Sequence, residues 1–211
     1  MKKVLITGAG GQLGSSMELE DFIMITTSRF HNDAVESPTI DADLDITNEY
    51  QVKTIIAEND PDIIVHLAAM TNVDGCELNP DQAYEVNVRG TVNLLNHFNG
   101  KFVLLSTDYV FDGEKGNYQE NDIPNPINYY GETKYEAEKI ILNNSKNLII
   151  RTSLVYGSST KVRFLNFVLD NLAKEKEIYT YNDIFNSATL ADELVNAILK
   201  SIDFNICGIL H

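Results

Sequence analysis

The feature that most narrows the fold is a strand that runs straight into a glycine turn near the start of the chain. Lys3-Val4-Leu5-Ile6-Thr7 is a short apolar run of the kind buried in a parallel sheet, and Gly8-Ala9-Gly10-Gly11-Gln12-Leu13-Gly14 follows at once. Glycines at 8, 11 and 14 permit a tight strand-to-helix turn whose backbone N–H groups, with a helix N-terminus, can meet a pyrophosphate. A ligand-free glycine turn would look the same, so the rest of the chain has to decide between them.

Strand and helix patterns then alternate. Phe22 to Thr27 reads as a second strand, and Ser28 and Arg29 stand at its end, where a dinucleotide fold inspects the adenosine ribose. An acid there would bind the 2′-OH of NAD; a hydroxyl beside a guanidinium better suits a 2′-phosphate, so NADPH is the expected cofactor, with NADH as the alternative. The acidic run Asp41 to Ile46 lacks the Gly and terminal Glu of a calcium loop, and no metal is expected. Thr47 is read as the cap of a helix ending near Asn59, and Asp62 to Ala69 as a buried strand whose small final residues let a flat ligand approach the backbone. His66 within it is expected to be a hydrogen-bonded core residue. A long helix from Asp81 to His97 and a strand from Phe102 to Thr107 continue the alternation. The pattern predicts an α/β fold, a doubly wound parallel sheet of Rossmann-like type, with ligands at the carboxyl ends of the strands. Ser106-Thr107-Asp108 sits at such an end, where the Thr107 hydroxyl can meet a substrate oxygen.

Composition bounds the partners. With 211 residues the chain can build one substantial core, and it has no apolar run of membrane-spanning length and no leader-like start, so a soluble, cytoplasmic protein is expected. Lys and Arg number 16 against 31 Asp and Glu, a formal charge of -15, which argues against nucleic-acid or anionic-membrane partners. An anionic ligand would therefore need a local positive site. Cys76 and Cys207 have no metal-ligand spacing and read as free thiols.

The stretch Asn125-Pro126-Ile127-Asn128-Tyr129-Tyr130-Gly131-Glu132-Thr133-Lys134 carries the chemistry. On a helix, Tyr130 and Lys134 share one face, so the ammonium can sit near the phenol, favour its anionic form and fit it for proton transfer near neutral pH. With Thr107 they make a set able to move a hydride and a proton at one carbon–oxygen bond.

On Thr7 to Gly14, Leu67-Ala68-Ala69, Asn87-Val88-Arg89-Gly90-Thr91, Ser106-Thr107 and Tyr130 to Lys134, the chain resembles the extended short-chain dehydrogenase/reductases. Gly11-Gln12-Leu13-Gly14, Ser106 to Gly113 and Asn125 to Gly131 resemble the dTDP-4-dehydrorhamnose reductases within them. The resemblance implies reduction of the C4 keto group of a dTDP-linked 4-keto-6-deoxysugar by NADPH or NADH. It implies Tyr130 as proton donor, Lys134 as the residue that binds the nicotinamide ribose and lowers the phenol pKa, and Thr107 as the orienter of the keto oxygen. Gly8, Gly11, Gln12, Leu13, Ser28, Arg29, Asp45, Ile46, Ala68 and Ala69 would follow the cofactor, and Asp108, Tyr109 and Val110 would line the substrate side. Asn87 matches a position that is usually structural.

The chain departs from that family at Leu154, where many bacterial members carry Trp, and at Ile184, Asn186 and Ala188 in the segment 181–189, where Gln, Gly and Pro are usual. Residues 1–150 are expected to form the dinucleotide-binding domain and 151–211 an interleaved sheet end with a small, truncated C-terminal substrate lobe. The irregular stretch Asp108 to Ile127 is expected to be a loop over the sugar site, its charges Glu114, Lys115, Glu120 and Asp122 solvated. A homodimer is compatible with the resemblance. So is a non-catalytic, cofactor-binding regulatory subunit, such as the beta subunit of methionine adenosyltransferase, or an epimerase; Tyr109 stands where a dehydratase would place a Glu.

Overall fold

The computed structural model describes residues 1–18, 21–29, 40–157, 163–179 and 182–211, with backbone alone at 163–165. Tyr181, the first residue of the segment singled out at 181–189, lies outside the described residues.

In chain order the strands are β1 (Lys3–Thr7), β2 (Ile23–Ser28), β3 (Ala42–Asp43), β4 (Ile63–His66), β5 (Lys101–Thr107), β6 (Leu148–Thr152), β7 (Val155–Tyr156), β8 (Thr189–Leu190) and β9 (Gly208–Leu210). The helices are α1 (Glu49–Asn59), α2 (Val73–Leu78), α3 (Pro80–Tyr84), α4 (Gly90–His97), α5 (Tyr129–Ile141), α6 (Arg163–Ala173) and α7 (Ala191–Asp203). Seven strands form one sheet in the order β3-β2-β1-β4-β5-β6-β9, and every pairing in it is parallel. The chain leaves β1 in one direction to β2 and β3 and then returns to β4 on its other side. That reversal opens a crevice at the carboxyl ends of β1 and β4, the place where doubly wound sheets bind ligands.

The strands bury both faces, and their residues divide by alternation. Val4 and Ile6 of β1, Ile63 and Val65 of β4, Val103 of β5 and Leu148 and Ile150 of β6 pack with Leu194, Val195, Ile198 and Ile202 of α7. The intervening Leu5, Ile64, Phe102, Leu104 and Ile149 face the opposite layer, with Val52 and Ile56 of α1, Leu94 of α4 and Ala137 and Ile141 of α5. Each such side chain contributes about 1.5–3 kcal/mol by leaving water. Because α7 and β9 belong to this sandwich, the end of the chain completes the sheet as well as bordering the substrate side.

Local chemistry sets the helix limits. Asn48, not Thr47, caps α1: its side chain accepts from the Gln51 N–H, whereas Thr47 is turned toward Asp45 Oδ1. The expected helix 81–97 is continuous but passes through a π-helical turn, Glu85–Arg89, between α3 and α4. α5 begins under two caps, the Asn128 side chain on the Gly131 N–H and Glu77 Oε1 on the Tyr129 N–H at 2.6 Å.

Beyond Tyr109 the loop after β5, expected over the sugar site, does not line the cleft. Phe111 and Tyr118 stack with ring centres 4.3 Å apart, Arg151 lies 5.0 Å over Phe111, and His211 meets the same ring edge-on, so the loop is pinned toward the β6–β9 end of the sheet. Its charges lie at the surface: Lys115 holds Asp122 at 2.6 Å, Glu120 accepts from the His211 N–H at 3.3 Å, and Glu114 is exposed.

The first turn of α5 is pressed against the backbone after β5. A Cβ on Gly131 would collide with the carbonyl oxygen of Tyr109, an atom that cannot yield without moving the turn. Gly131→Ala is expected to destabilise the protein by about 1–3 kcal/mol through this overpacking. Thermal unfolding checks it, and an unchanged melting temperature would refute the close approach.

Candidate active site

The crevice is a cleft of about 1150 Å³. One end is the glycine turn. Gly8 has φ of +73°, a conformation glycine takes without steric cost, and a Cβ there would lie 2.7 Å from the Ala68 nitrogen. The backbones of β1 and β4 therefore meet the cleft with no side chain between them, a surface a flat or phosphorylated group can approach. Gly11, Gln12, Leu13, Ser28, Arg29, Asp45, Ile46, Ala68 and Ala69 line the same cleft, as do Thr107, Asp108, Tyr109, Tyr130 and Lys134 at its other end. Every sequence-predicted site residue lies there except Val110. Val110 is wholly buried in the short 3-10 turn Asp108–Val110 and has no surface to offer a substrate.

Thr107 and Tyr130 share the cleft wall, and the Thr107 hydroxyl eases the phenol toward ionisation. Thr107 Oγ1 donates to Asp108 Oδ1 at 3.2 Å and accepts from the Tyr109 N–H, while the Tyr109 ring stands edge-on to Tyr130 at 6.0 Å. Burial raises the Tyr130 pKa, and the nearby Asp108 adds to the rise. The expected depression by Lys134 is therefore not found. Lys134 is not among the groups that shift it, and desolvation of the phenolate holds the phenol protonated, as an acid requires.

Lys134 is 3% exposed, and its Nζ has no hydrogen-bond or ion-pair partner among the described residues. Burial lowers its pKa to about 8, against an upward pull from Glu138. A buried amine left with free donors on the wall of a cleft is a polar group awaiting a partner. Together with the bare backbone at Gly8, it fits a dinucleotide whose pyrophosphate meets the glycine turn and whose ribose hydroxyls meet the amine.

Behind these residues lies polar scaffolding. His66 is 1% exposed, and burial, aided by Lys134, lowers its pKa to about 3. Thr91 donates to the Asn87 carbonyl, so it accepts from His66 Nε2–H, and Thr7 donates to Nδ1 at 2.7 Å: the ring is a neutral, fully satisfied core histidine. Asn87, on the π-helical turn, accepts from the Met70 N–H and donates to the Met70 carbonyl and to Thr133 Oγ1, tying the loop after β4 to α5.

Sequence reasoning missed three elements. Gln12 Nε2 donates to the Val155 carbonyl at 2.6 Å, so the glycine turn touches β7 across the cleft. Ser153, Val155 and Asn166 join the lining, and Leu154 is there as well, presenting an aliphatic face. Glu138 and Arg151, both buried, form an ion pair at 2.7 Å behind Lys134. Arg151 was visible as a lone charge in an apolar strand, and Glu138 as a carboxylate one turn beyond Lys134; each signal called for a buried partner. No group of residues able to hold a metal ion and no helix long and apolar enough to cross a membrane occurs among the described residues.

Comparison with known proteins agrees with this geometry. Residues 1–211 match the family described as the RmlD substrate binding domain. The chain is 36% identical to the dTDP-4-dehydrorhamnose reductase of Aggregatibacter actinomycetemcomitans, over 99% of this chain and 70% of that one. The crystal structure of dTDP-4-dehydrorhamnose reductase from Bacillus anthracis in complex with NADP superposes with a TM-score of 0.86 at 34% identity, over 100% of this chain and 73% of that one. Methionine adenosyltransferase 2 subunit beta of Bos taurus is 37% identical over 74% of this chain and 48% of its own. On a match that runs over all 211 residues, the chain belongs to the RmlD substrate-binding-domain family.

Proposed function

We propose that this protein reduces the C4 keto group of a dTDP-linked 4-keto-6-deoxysugar, converting dTDP-4-dehydrorhamnose to dTDP-L-rhamnose with NADPH as reductant. The observation that carries the reading is a protonated, buried Tyr130 beside Thr107, with the unpaired Lys134 amine on the same cleft wall. The reductase and NADP named for the relatives support it. Residues 1–150 would hold the cofactor, and 151–211 would contribute the substrate side through Ser153, Leu154 and Asn166.

NADPH, when bound, supplies the hydride that forms the new C–H bond at C4. As the carbonyl π electrons move onto O4, Tyr130 gives that oxygen its proton, and the Thr107 hydroxyl steadies the phenolate left behind. Lys134 donates to the ribose hydroxyls and sets a positive charge beside the same phenolate. Asp108 and Tyr109 border the sugar. Gly8, Gly11, Gln12 and Leu13 receive the pyrophosphate, Asp45 and Ile46 the adenine side, and Ala68 and Ala69 the backbone path between. Leu154 leaves the sugar without an aromatic platform at that position.

The second reading, a regulatory subunit that binds the cofactor without turning it over, is favoured by the similarity to methionine adenosyltransferase 2 subunit beta. Tyr130→Phe separates the two. It is expected to bind NADPH as the wild type does and to lose roughly 10²–10⁴-fold in kcat, the usual worth of a positioned proton donor. Steady-state kinetics with matched cofactor titrations check it, and undiminished turnover would remove Tyr130 from the reaction. Ser28 and Arg29 at the end of β2 set the cofactor preference. Arg29→Asp should weaken NADPH about 10–100-fold, the loss of a charged hydrogen bond, and leave NADH nearly unchanged. Equal losses on both cofactors in binding titrations would contradict a 2′-phosphate contact.

A further inference from the structure

Lys134 and Glu138 stand four residues apart on α5, the spacing at which oppositely charged side chains on one helix face pair most readily. Both are buried, with Lys134 3% and Glu138 0% exposed, so the low dielectric around them would strengthen such a pair. They do not pair. The carboxylate of Glu138 is taken up from the other side: Arg151 Nε donates to Oε1 at 3.0 Å and Nη2 to Oε2 at 2.7 Å, and Ser106 Oγ donates to Oε1 at 2.5 Å. Arg151 is itself fixed by the Phe111 ring under its guanidinium and by His211 Nε2, 3.2 Å from Nη1.

We propose that Arg151 is a positioning residue that holds Glu138 away from Lys134, so that the lysine amine stays unpaired and turned to the cleft for the cofactor. Arg151 comes from β6, Ser106 is the neighbour of Thr107 on β5, and Lys134 and Glu138 are on α5; the network therefore also fixes the register of Thr107 against the helix bearing Tyr130. The inference rests on the reading of Lys134 as the amine that meets the cofactor. A bidentate guanidinium suits the task better than an ammonium would, because it occupies both carboxylate oxygens at once.

The titratable groups that interact with Lys134 are Glu138 from its own helix and His66 from β4, and Tyr130 shares the cleft wall with it. His66 is neutral and Tyr130 protonated near pH 7, so Glu138 is the charge whose distance matters. Removing Arg151 should let Glu138 capture Lys134, raising the lysine pKa and drawing its donors from the cleft. Removing the carboxylate as well should set the amine free again.

The test compares wild type, Arg151→Met and Arg151→Met/Glu138→Gln by two measurements. One is NADPH affinity by fluorescence titration. The other is the titration of Lys134 itself in the cofactor-free protein, followed by NMR of 13Cε-labelled lysine and assigned with Lys134→Arg. Arg151→Met should weaken NADPH at least about tenfold, or 1.4 kcal/mol, and raise the Lys134 pKa; the double variant should regain most of that affinity and bring the pKa back down. A merely structural role predicts the opposite, a double variant as impaired as the single one or worse, and that result in a folded protein would overturn the proposal. If Arg151→Met does not fold, Arg151→Lys, which can hold one oxygen only, should move the Lys134 titration the same way; an unmoved titration would overturn it equally. The NMR titration involves neither sugar nor turnover, so it stands or falls independently of the reductase reading.

Discussion

The seating of α5 on β5 is the contact on which the site depends. Tyr130 and Lys134 come from the helix and Thr107 from the strand, and the three can act on one carbonyl only if the two elements hold their distance closely. Two features fix it. Gly131 brings the helix backbone against the Tyr109 carbonyl, and Ser106 and Arg151 clamp Glu138 from β5 and β6. The clamp is costly, since a buried ion pair rarely repays its desolvation as well as apolar packing would. Its worth lies in geometry: a carboxylate with three donors on it has one place to be.

The electrostatics follow from the same arrangement. A chain with a formal charge of -15 repels anions at long range, so binding a dinucleotide and a nucleotide sugar requires positive character close at hand. The glycine turn offers backbone N–H groups, Arg29 a guanidinium on the cleft lining, and Lys134 a buried amine on its catalytic wall. Lys134 is itself buried, so its charge acts in a lower dielectric where it counts for more.

Much of this was legible in the sequence, for definite reasons. β1, β4 and β5 were plain because strands buried on both faces need unbroken apolar runs, and the glycine turn because few other residues let two backbones meet as Gly8 and Ala68 do. Thr107, Tyr130 and Lys134 could be named because the chemistry demands a hydroxyl, a phenol and an amine at strand end and helix spacing. What stayed hidden was three-dimensional. Val110 sits beside two cleft residues in sequence, yet the 3-10 turn points it into the core. The loop beyond it was expected over the sugar site because long loops in compact domains are often functional, but the Phe111–Tyr118 stack and the distant His211 pack it toward the β6–β9 end of the sheet. The balance between burial and charge at Tyr130 depends on how deeply the ring is set, which no spacing rule reports.

The most direct test of the account is to mix the purified 211-residue chain with NADPH and the dTDP-4-keto-6-deoxysugar and follow cofactor oxidation, with NADPH binding measured in parallel. The account predicts oxidation that depends on the sugar and yields one reduced sugar nucleotide for each NADPH consumed. Tight NADPH binding with no sugar-dependent oxidation would contradict it, and would make the chain a cofactor-binding protein that does not transfer the hydride.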